Sequence, residues 1–283
     1  MAAYEEIAFA GVDGAELYAR DYGGDGPAVL CMHGLTRNSK DFEGMAAQLS
    51  PRWRLIVPDQ RGRGRSAYSA DPAQYATQVY VGDMWELLTY LGVDRFGVIG
   101  TSMGGIMGTI MAAMEPARIW GLVLNDIGAV VDARGIARIK GYVGAPAPAK
   151  NWAEAATRMR GINGVAHPDY TDDDWMAMAQ RLFREDSQGG LTLAYDPAIA
   201  EGMARADVAP TEMWSLFEAT IATPKLVIRG ELSDLLTAET VAEMQRREPG
   251  MEALEVPRVG HTPTLAEPAV VAAIARFLER TQT

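Results

Sequence analysis

An apolar run, Phe96-Gly97-Val98-Ile99, leads into Gly100-Thr101-Ser102-Met103-Gly104, and a helix-compatible segment from Gly105 to Met114 follows at once. A chain that passes from strand to helix within one Gly-x-Ser-x-Gly pentapeptide must turn sharply at the serine, leaving its oxygen exposed at the end of the strand. Such a turn has no room for Cβ atoms beside the serine, and glycine alone takes unusual φ/ψ there without steric cost. With 29 glycines in the chain the pentapeptide by itself is only a moderately specific signal. The strand, elbow and helix together carry it, and they demand a sheet with a helix packed on it.

The rest of the chain supplies that sheet. Short β-branched or aliphatic runs alternate with helical segments, the pattern of a largely parallel sheet covered on both faces. Ile7 to Ala10 and Leu17 to Tyr22 flank Asp13-Gly14, a hairpin signal, so the first two strands are expected to be antiparallel. Ala28–Met32, Leu55–Pro58, Phe96–Ile99, Gly121–Leu124, Leu226–Ile228 and Leu254–Val256 complete eight strands. Thr77–Leu91, Ala238–Arg247 and Pro268–Glu279 are amphipathic at helical spacing. The fold class expected is α/β, a mostly parallel eight-stranded sheet flanked by helices.

The alternation stops between about Val131 and Thr220, where no strand is evident and Trp152, Met159, Trp175, Met176, Met178 and Trp214 accumulate. This segment is read as a helical cap over residues 130–220, set on a core of 1–129 and 221–283. It would lie over the carboxyl ends of the strands, where open α/β sheets place their ligands. Most of its Trp and Met residues are expected to pack between helices, with a few, Trp152 and Trp214 among them, facing a substrate. Thr171-Asp172-Asp173-Asp174 reads as a capping box at a helix start rather than a metal site.

Composition removes several function classes. The formal charge of -11 would repel an extended phosphate backbone, so nucleic acid is not an expected partner. Cys31 is the one cysteine, which rules out an intrachain disulfide, and its neighbours Val29, Leu30 and Met32 suit a buried inert thiol. No run approaches membrane-spanning length, and the first residues lack a basic start and an apolar core. A cytoplasmic protein without metal or cofactor is expected.

A serine hydroxyl is a weak nucleophile near neutral pH and needs a base within hydrogen-bond reach; imidazole, with an unperturbed pKa of about 6.5, suits that task. The three histidines are His33, His167 and His261. The order serine, acid, histidine of the nucleophile-elbow fold selects His261. His33 suits a structural role in the loop after the third strand, and His167 suits packing in the cap or contact with substrate. The acid that orients the imidazole is expected to be Asp234, in the loop after Leu226–Ile228, with Asp126 at the end of the sixth strand and Glu231 as rivals. Two backbone N–H groups are expected to receive an oxyanion: that of Met103, at the start of a helix, and that of Leu35, in the loop after the third strand. The side chains of Leu35 and Met103 would then be free to shape a substrate pocket.

His33-Gly34, the run from Asp59 to Ser66, the Ser102 elbow, Ser233-Asp234 and Gly260-His261 resemble, in order and spacing, the motifs of the α/β-hydrolase superfamily over essentially the whole chain. The resemblance implies that Gly62-Arg63-Gly64 is a structural turn rather than a phosphate loop. It also separates the chain from relatives that carry an aspartate at the elbow, such as haloalkane dehalogenases and epoxide hydrolases. What it implies is acyl transfer to Ser102 and then to water, with a carboxylic ester or lactone as substrate, and the apolar cap suits one of small to medium size. Ser102-Met103-Gly104-Gly105 also resembles the elbow of carbon-carbon bond hydrolases of ring-cleavage products. Those enzymes usually carry a Gly-Pro-Gly loop after His-Gly and a Trp after the catalytic histidine, where this chain has Leu35-Thr36-Arg37 and Thr262. Enol-lactonases and cofactor-free perhydrolases share the serine arrangement, and some members of the superfamily are non-catalytic receptors.

Overall fold

The computed structural model describes residues 2–145, 148–205 and 213–282. β1 (Glu5–Ala10) and β2 (Glu16–Asp21) form the expected antiparallel pair. Between them Gly14 takes φ 81°, and Asp13 Oδ1 accepts the Ala15 N–H, so the Asp-Gly pair makes the turn. β3 (Ala28–Met32), α1 (Glu43–Leu49), β4 (Arg54–Asp59), α2 (Thr77–Tyr90), β5 (Phe96–Thr101), α3 (Met103–Met114) and β6 (Ile119–Asn125) follow. An insertion then holds α4 (Ala133–Lys140), α5 (Trp152–Asn163), α6 (Asp172–Leu182), β7 (Phe183–Glu185), β8 (Leu191–Leu193), α7 (Ile199–Arg205) and α8 (Trp214–Glu218). β9 (Lys225–Gly230), α9 (Ala238–Arg247), β10 (Glu252–Val256) and α10 (Pro268–Thr281) complete the chain.

Eight strands form one sheet in the order β1-β2-β4-β3-β5-β6-β9-β10, parallel from β4 onward, as the sequence pattern requires. β3 lies between β4 and β5, so the connections leaving β3 and β5 run to opposite sides and open a crevice at the strand ends, the usual ligand site of such sheets. The pleat sorts successive residues onto two cores. Leu30, Met32, Val98, Leu122 and Leu124 join Met84 and Leu87 of α2 and Met107 and Met111 of α3. Val29, Cys31, Ile99 and Val123 join α1 and the Val270, Ile274 and Phe277 stripe of α10. Cys31 is fully buried, and that burial pushes its thiol pKa up, away from reactivity.

The insertion departs from the helical expectation in that β7 and β8 form an antiparallel hairpin. The strands are three residues long, with Arg184 and Glu185 exposed, too short to set up a period of two. The hairpin shares a small core with α5 and α6, built around Met159, Trp175 and Phe183. It is tied to the turn after β4 by Gly64 N–H to Ala194 O (2.8 Å) and Asp196 N–H to Gly62 O (2.8 Å). α8 packs instead on the sheet side, with Phe217 in the same core as α3. Thr171 and Asp174 form the expected capping box at the start of α6. Residues 146–147 and 206–212 of the expected 130–220 cap lie outside the described residues. Among the described residues no helix is long and apolar enough to cross a membrane.

His33 closes the end of β3 in the structural role its position suggested. Its Nδ1–H donates to Gly34 O (2.7 Å) and its Nε2 accepts the Gln60 N–H (3.1 Å), which fixes a neutral tautomer. Burial holds its pKa down at about 3. His167 is also buried, and desolvation, followed by the nearby Arg37 and Arg181, lowers it to about 4. The unfolded chain takes up these two protons near pH 6.5, whereas the fold refuses them until pH 3 to 4. Stability is therefore full above 6.5 and falls as the pH drops below it, by about 2 kcal/mol per histidine at pH 5. Urea unfolding at pH 8, 7, 6 and 5 should show this loss, and His33→Gln should flatten it by about one proton; a flat wild-type profile would contradict the account.

Candidate active site

The elbow is built as the sequence demanded. Ser102 sits between β5 and α3 at φ 51°, ψ -115°, a left-handed backbone rare outside glycine, and its N–H is held by Asn125 O (2.9 Å). A Cβ at Gly100 would lie 2.4 Å from Gly104 O, one at Gly104 2.1 Å from Met32 O, and one at Gly105 2.3 Å from Ile127 Cγ2. Strand, elbow and helix approach each other too closely for any side chain at these positions. Met103 is the first residue of α3, where the N–H groups have no intrahelical acceptor.

His261, in the loop after β10, places Nε2 3.0 Å from Ser102 Oγ and Nδ1 2.7 Å from Asp126 Oδ2. Asp126 follows β6 at φ 54° and is fully buried. Its Oδ1 accepts the Gly230 N–H (2.8 Å), and its Oδ2 also accepts the Ser233 hydroxyl (2.6 Å). An ionised carboxylate accepts hydrogen bonds and donates none, so opposite Asp126 Nδ1 carries the ring proton and Nε2 turns its lone pair to the serine hydroxyl. That arrangement can take the Ser102 proton and can stabilise the imidazolium that results.

The expected partnership of Asp234 with His261 does not form. Asp234 makes a bidentate ion pair with Arg138 of α4 at 2.6 and 2.9 Å, and Arg138 lowers its pKa. Ser233 Oγ accepts the Leu235 and Leu236 N–H groups, and Asp234 O accepts Gly135 N–H, a turn that directs the Asp234 carboxylate toward α4. The rival Asp126 occupies the histidine position, while Glu231 accepts the Arg258 N–H elsewhere. Both Asp126 and Asp234 satisfy the chain order, so the order could not choose between them.

Leu35 lines the cavity beside Ser102, and its carbonyl is held by Nε of buried Arg63 (2.8 Å). Arg63 also donates to Arg61 O (2.7 Å), so the arginine-rich turn after β4 is the structural device the resemblance implied, fixing the Leu35 loop. The Met103 side chain is buried in the core, 3.9 Å from Arg63 Nη2, and does not shape the cavity wall as expected. Trp152 and Trp214 are also absent from that wall. Trp152 packs against the α5–α6 core, and Trp214 stacks on the Arg247 guanidinium, 3.9 Å from its ring centroid. The wall is made instead by Tyr142, Tyr170 and Tyr195, which were not singled out from sequence, together with Met159 of the cap methionines and His167. The cavity holds about 450 Å³ between the insertion and the strand ends, a volume suited to a small ligand. Among the described residues no cluster of three or more His, Cys, Asp or Glu side chains could hold a metal ion.

Known proteins share this arrangement of elements. A crystal structure of an α/β hydrolase from Novosphingobium aromaticivorans is 43% identical, covers 99% of each chain and superposes with a TM-score of 0.94. A 3-hydroxybutyrate-oligomer hydrolase of Cupriavidus necator is 37% identical over 89% of this chain and 88% of its own. A 2-(acetamidomethylene)succinate hydrolase of Mesorhizobium japonicum is 26% identical over 90% of this chain and 89% of its own. The family model described as alpha/beta hydrolase fold matches residues 27–249, and the chain belongs to that family of hydrolases.

Proposed function

We propose that the chain hydrolyses small carboxylic esters, lactones included, through an acyl-enzyme on Ser102. The observation that carries this reading is the hydrogen-bonded series Ser102 Oγ, His261, Asp126 at the floor of the cavity. His261 takes the serine proton as Oγ attacks the ester carbonyl, and Asp126 holds the imidazole and offsets its charge. The Leu35 and Met103 N–H groups receive the oxyanion, the latter aided by the positive end of α3. His261 then protonates the leaving alcohol and later activates the water that releases the acid. The insertion serves as a cap, with Tyr142, Met159 and Tyr170 limiting substrate size. Oligomers of 3-hydroxybutyrate, the substrate named for the Cupriavidus relative, are esters of suitable size and the first class to try.

Turnover of 4-nitrophenyl butyrate should fall at least about 10³-fold in Ser102→Ala. A folded wild type no faster than that variant would sink the reading. Asp126→Asn should lower kcat about 10³- to 10⁴-fold by presenting the wrong tautomer to the serine. Asp234→Asn should stay within a few-fold of wild type, and the opposite pattern in the same kinetic assay would return the acid to Asp234.

A further inference from the structure

The chain carries a charge of -11, yet the cavity wall holds as many cations as carboxylates, and they are unevenly paired. Arg37, Lys40 and Arg181 line it, and its carboxylates are Asp41, Glu43 and Asp174. Glu43 is already paired with Arg20 at 2.7 Å, and Asp174 is exposed at the start of α6, bonded to Thr171. Asp41 is left to serve two guanidinium groups at once. Arg37 binds it through Nε and Nη2 at 2.5 and 2.9 Å, and Arg181 reaches the same carboxylate only at 3.4 Å. One carboxylate between two guanidinium groups leaves a positive charge, and both arginine side chains are three-quarters withdrawn from solvent. Screening is weak in such a place, and a second carboxylate would complete the pairing.

The cluster lines the same cavity as the reacting serine. A Cβ at Gly34 would lie 3.5 Å from Arg37 Cγ and 3.7 Å from Ser102 Cβ, so the Arg37 stem and the nucleophile flank the same glycine. The two arginines come from opposite walls, Arg37 from the loop after β3 and Arg181 from the last turn of α6, and so bracket the space between sheet and insertion. Asn38 Nδ2 donates to Arg181 O (2.8 Å), which fixes the end of α6 against that loop. His167 faces the same arginines, and its desolvation together with them lowers its pKa.

We infer that Arg37 and Arg181, sharing Asp41, bind a free carboxylate of the substrate, and that the preferred substrate is an ester still carrying an ionised acid a few bonds from the scissile carbonyl. This rests on the ester-hydrolase reading and deepens it by naming the anionic end. The interaction exists before and during the reaction alike, so it lowers KM more than it raises kcat.

The test compares the linear dimer of 3-hydroxybutyrate, as free acid, with its methyl ester at pH 8, following cleavage of the central ester by product chromatography. Wild type should favour the acid about 10- to 100-fold in kcat/KM, mostly through KM, the range of a charge-assisted contact. The ratio should fall toward one in Arg181→Gln. Equal rates, a preference for the methyl ester, or a preference retained in both Arg181→Gln and Arg37→Gln would overturn the inference while leaving the hydrolase reading intact. Calorimetric binding of both compounds to Ser102→Ala decides the matter if neither is cleaved: tighter binding of the acid supports the inference, and equal or no binding overturns it. Turnover of 4-nitrophenyl butyrate reports separately on the hydrolase reading.

Discussion

The buried carboxylate of Asp126 is the contact on which the site geometry depends. It stands at the end of β6 and gathers the Gly230 N–H at the end of β9, the Ser233 hydroxyl of the following loop and the His261 ring from the loop after β10. An ionised group taken out of water is tolerated only when its lone pairs are filled by donors, so each of those three partners is also a condition for burying it. The neighbouring strand β5 delivers Ser102 to the other ring nitrogen. Three consecutive strands of the sheet, β5, β6 and β9, are thus locked at their carboxyl ends by one hydrogen-bonded series, with β10 supplying the imidazole through its following loop.

Two further layers surround that series. Below it, the turn after β4 holds the Leu35 loop through Arg63 and anchors the β7–β8 hairpin through Gly62 and Gly64, so one structural turn places both a wall of the cavity and the insertion above it. Beside it, the insertion brings Arg181 toward Arg37, and two guanidinium groups share the single carboxylate of Asp41 in a chain whose net charge is negative. On the proposed reading, a carboxylate approaching the molecule is repelled at long range and held only once inside, where the two guanidinium groups are mostly withdrawn from solvent. The proposed preference for anionic esters follows from this local field rather than from net charge.

Much of this was legible in the sequence, and the reasons differ by element. The central parallel strands announce themselves because buried parallel strands are continuous apolar runs, β1 and β2 do so through the Asp13-Gly14 turn between them, and the elbow does so because its close approaches exclude every residue but glycine at Gly100 and Gly104. His261 was singled out by chain order. Asp126 was not, because Asp234 meets the same order; the choice rests on Ser233 turning its loop so that Asp234 meets Arg138, a contact between segments 96 residues apart. β7 and β8 were hidden by their brevity. Trp152 and Trp214 were misplaced because a helix's rotation about its axis is set by its partners, and their partners are a helix core and Arg247.

The central claim is that the fold converts one serine, Ser102, into a nucleophile. Labelling the native protein with a fluorophosphonate and mapping the adduct by peptide mass spectrometry tests it most directly. The account predicts one adduct per chain, on the peptide that contains Ser102, and none after unfolding in urea. Absence of an adduct in the native protein, or an adduct on another serine with Ser102 unmodified, would contradict it.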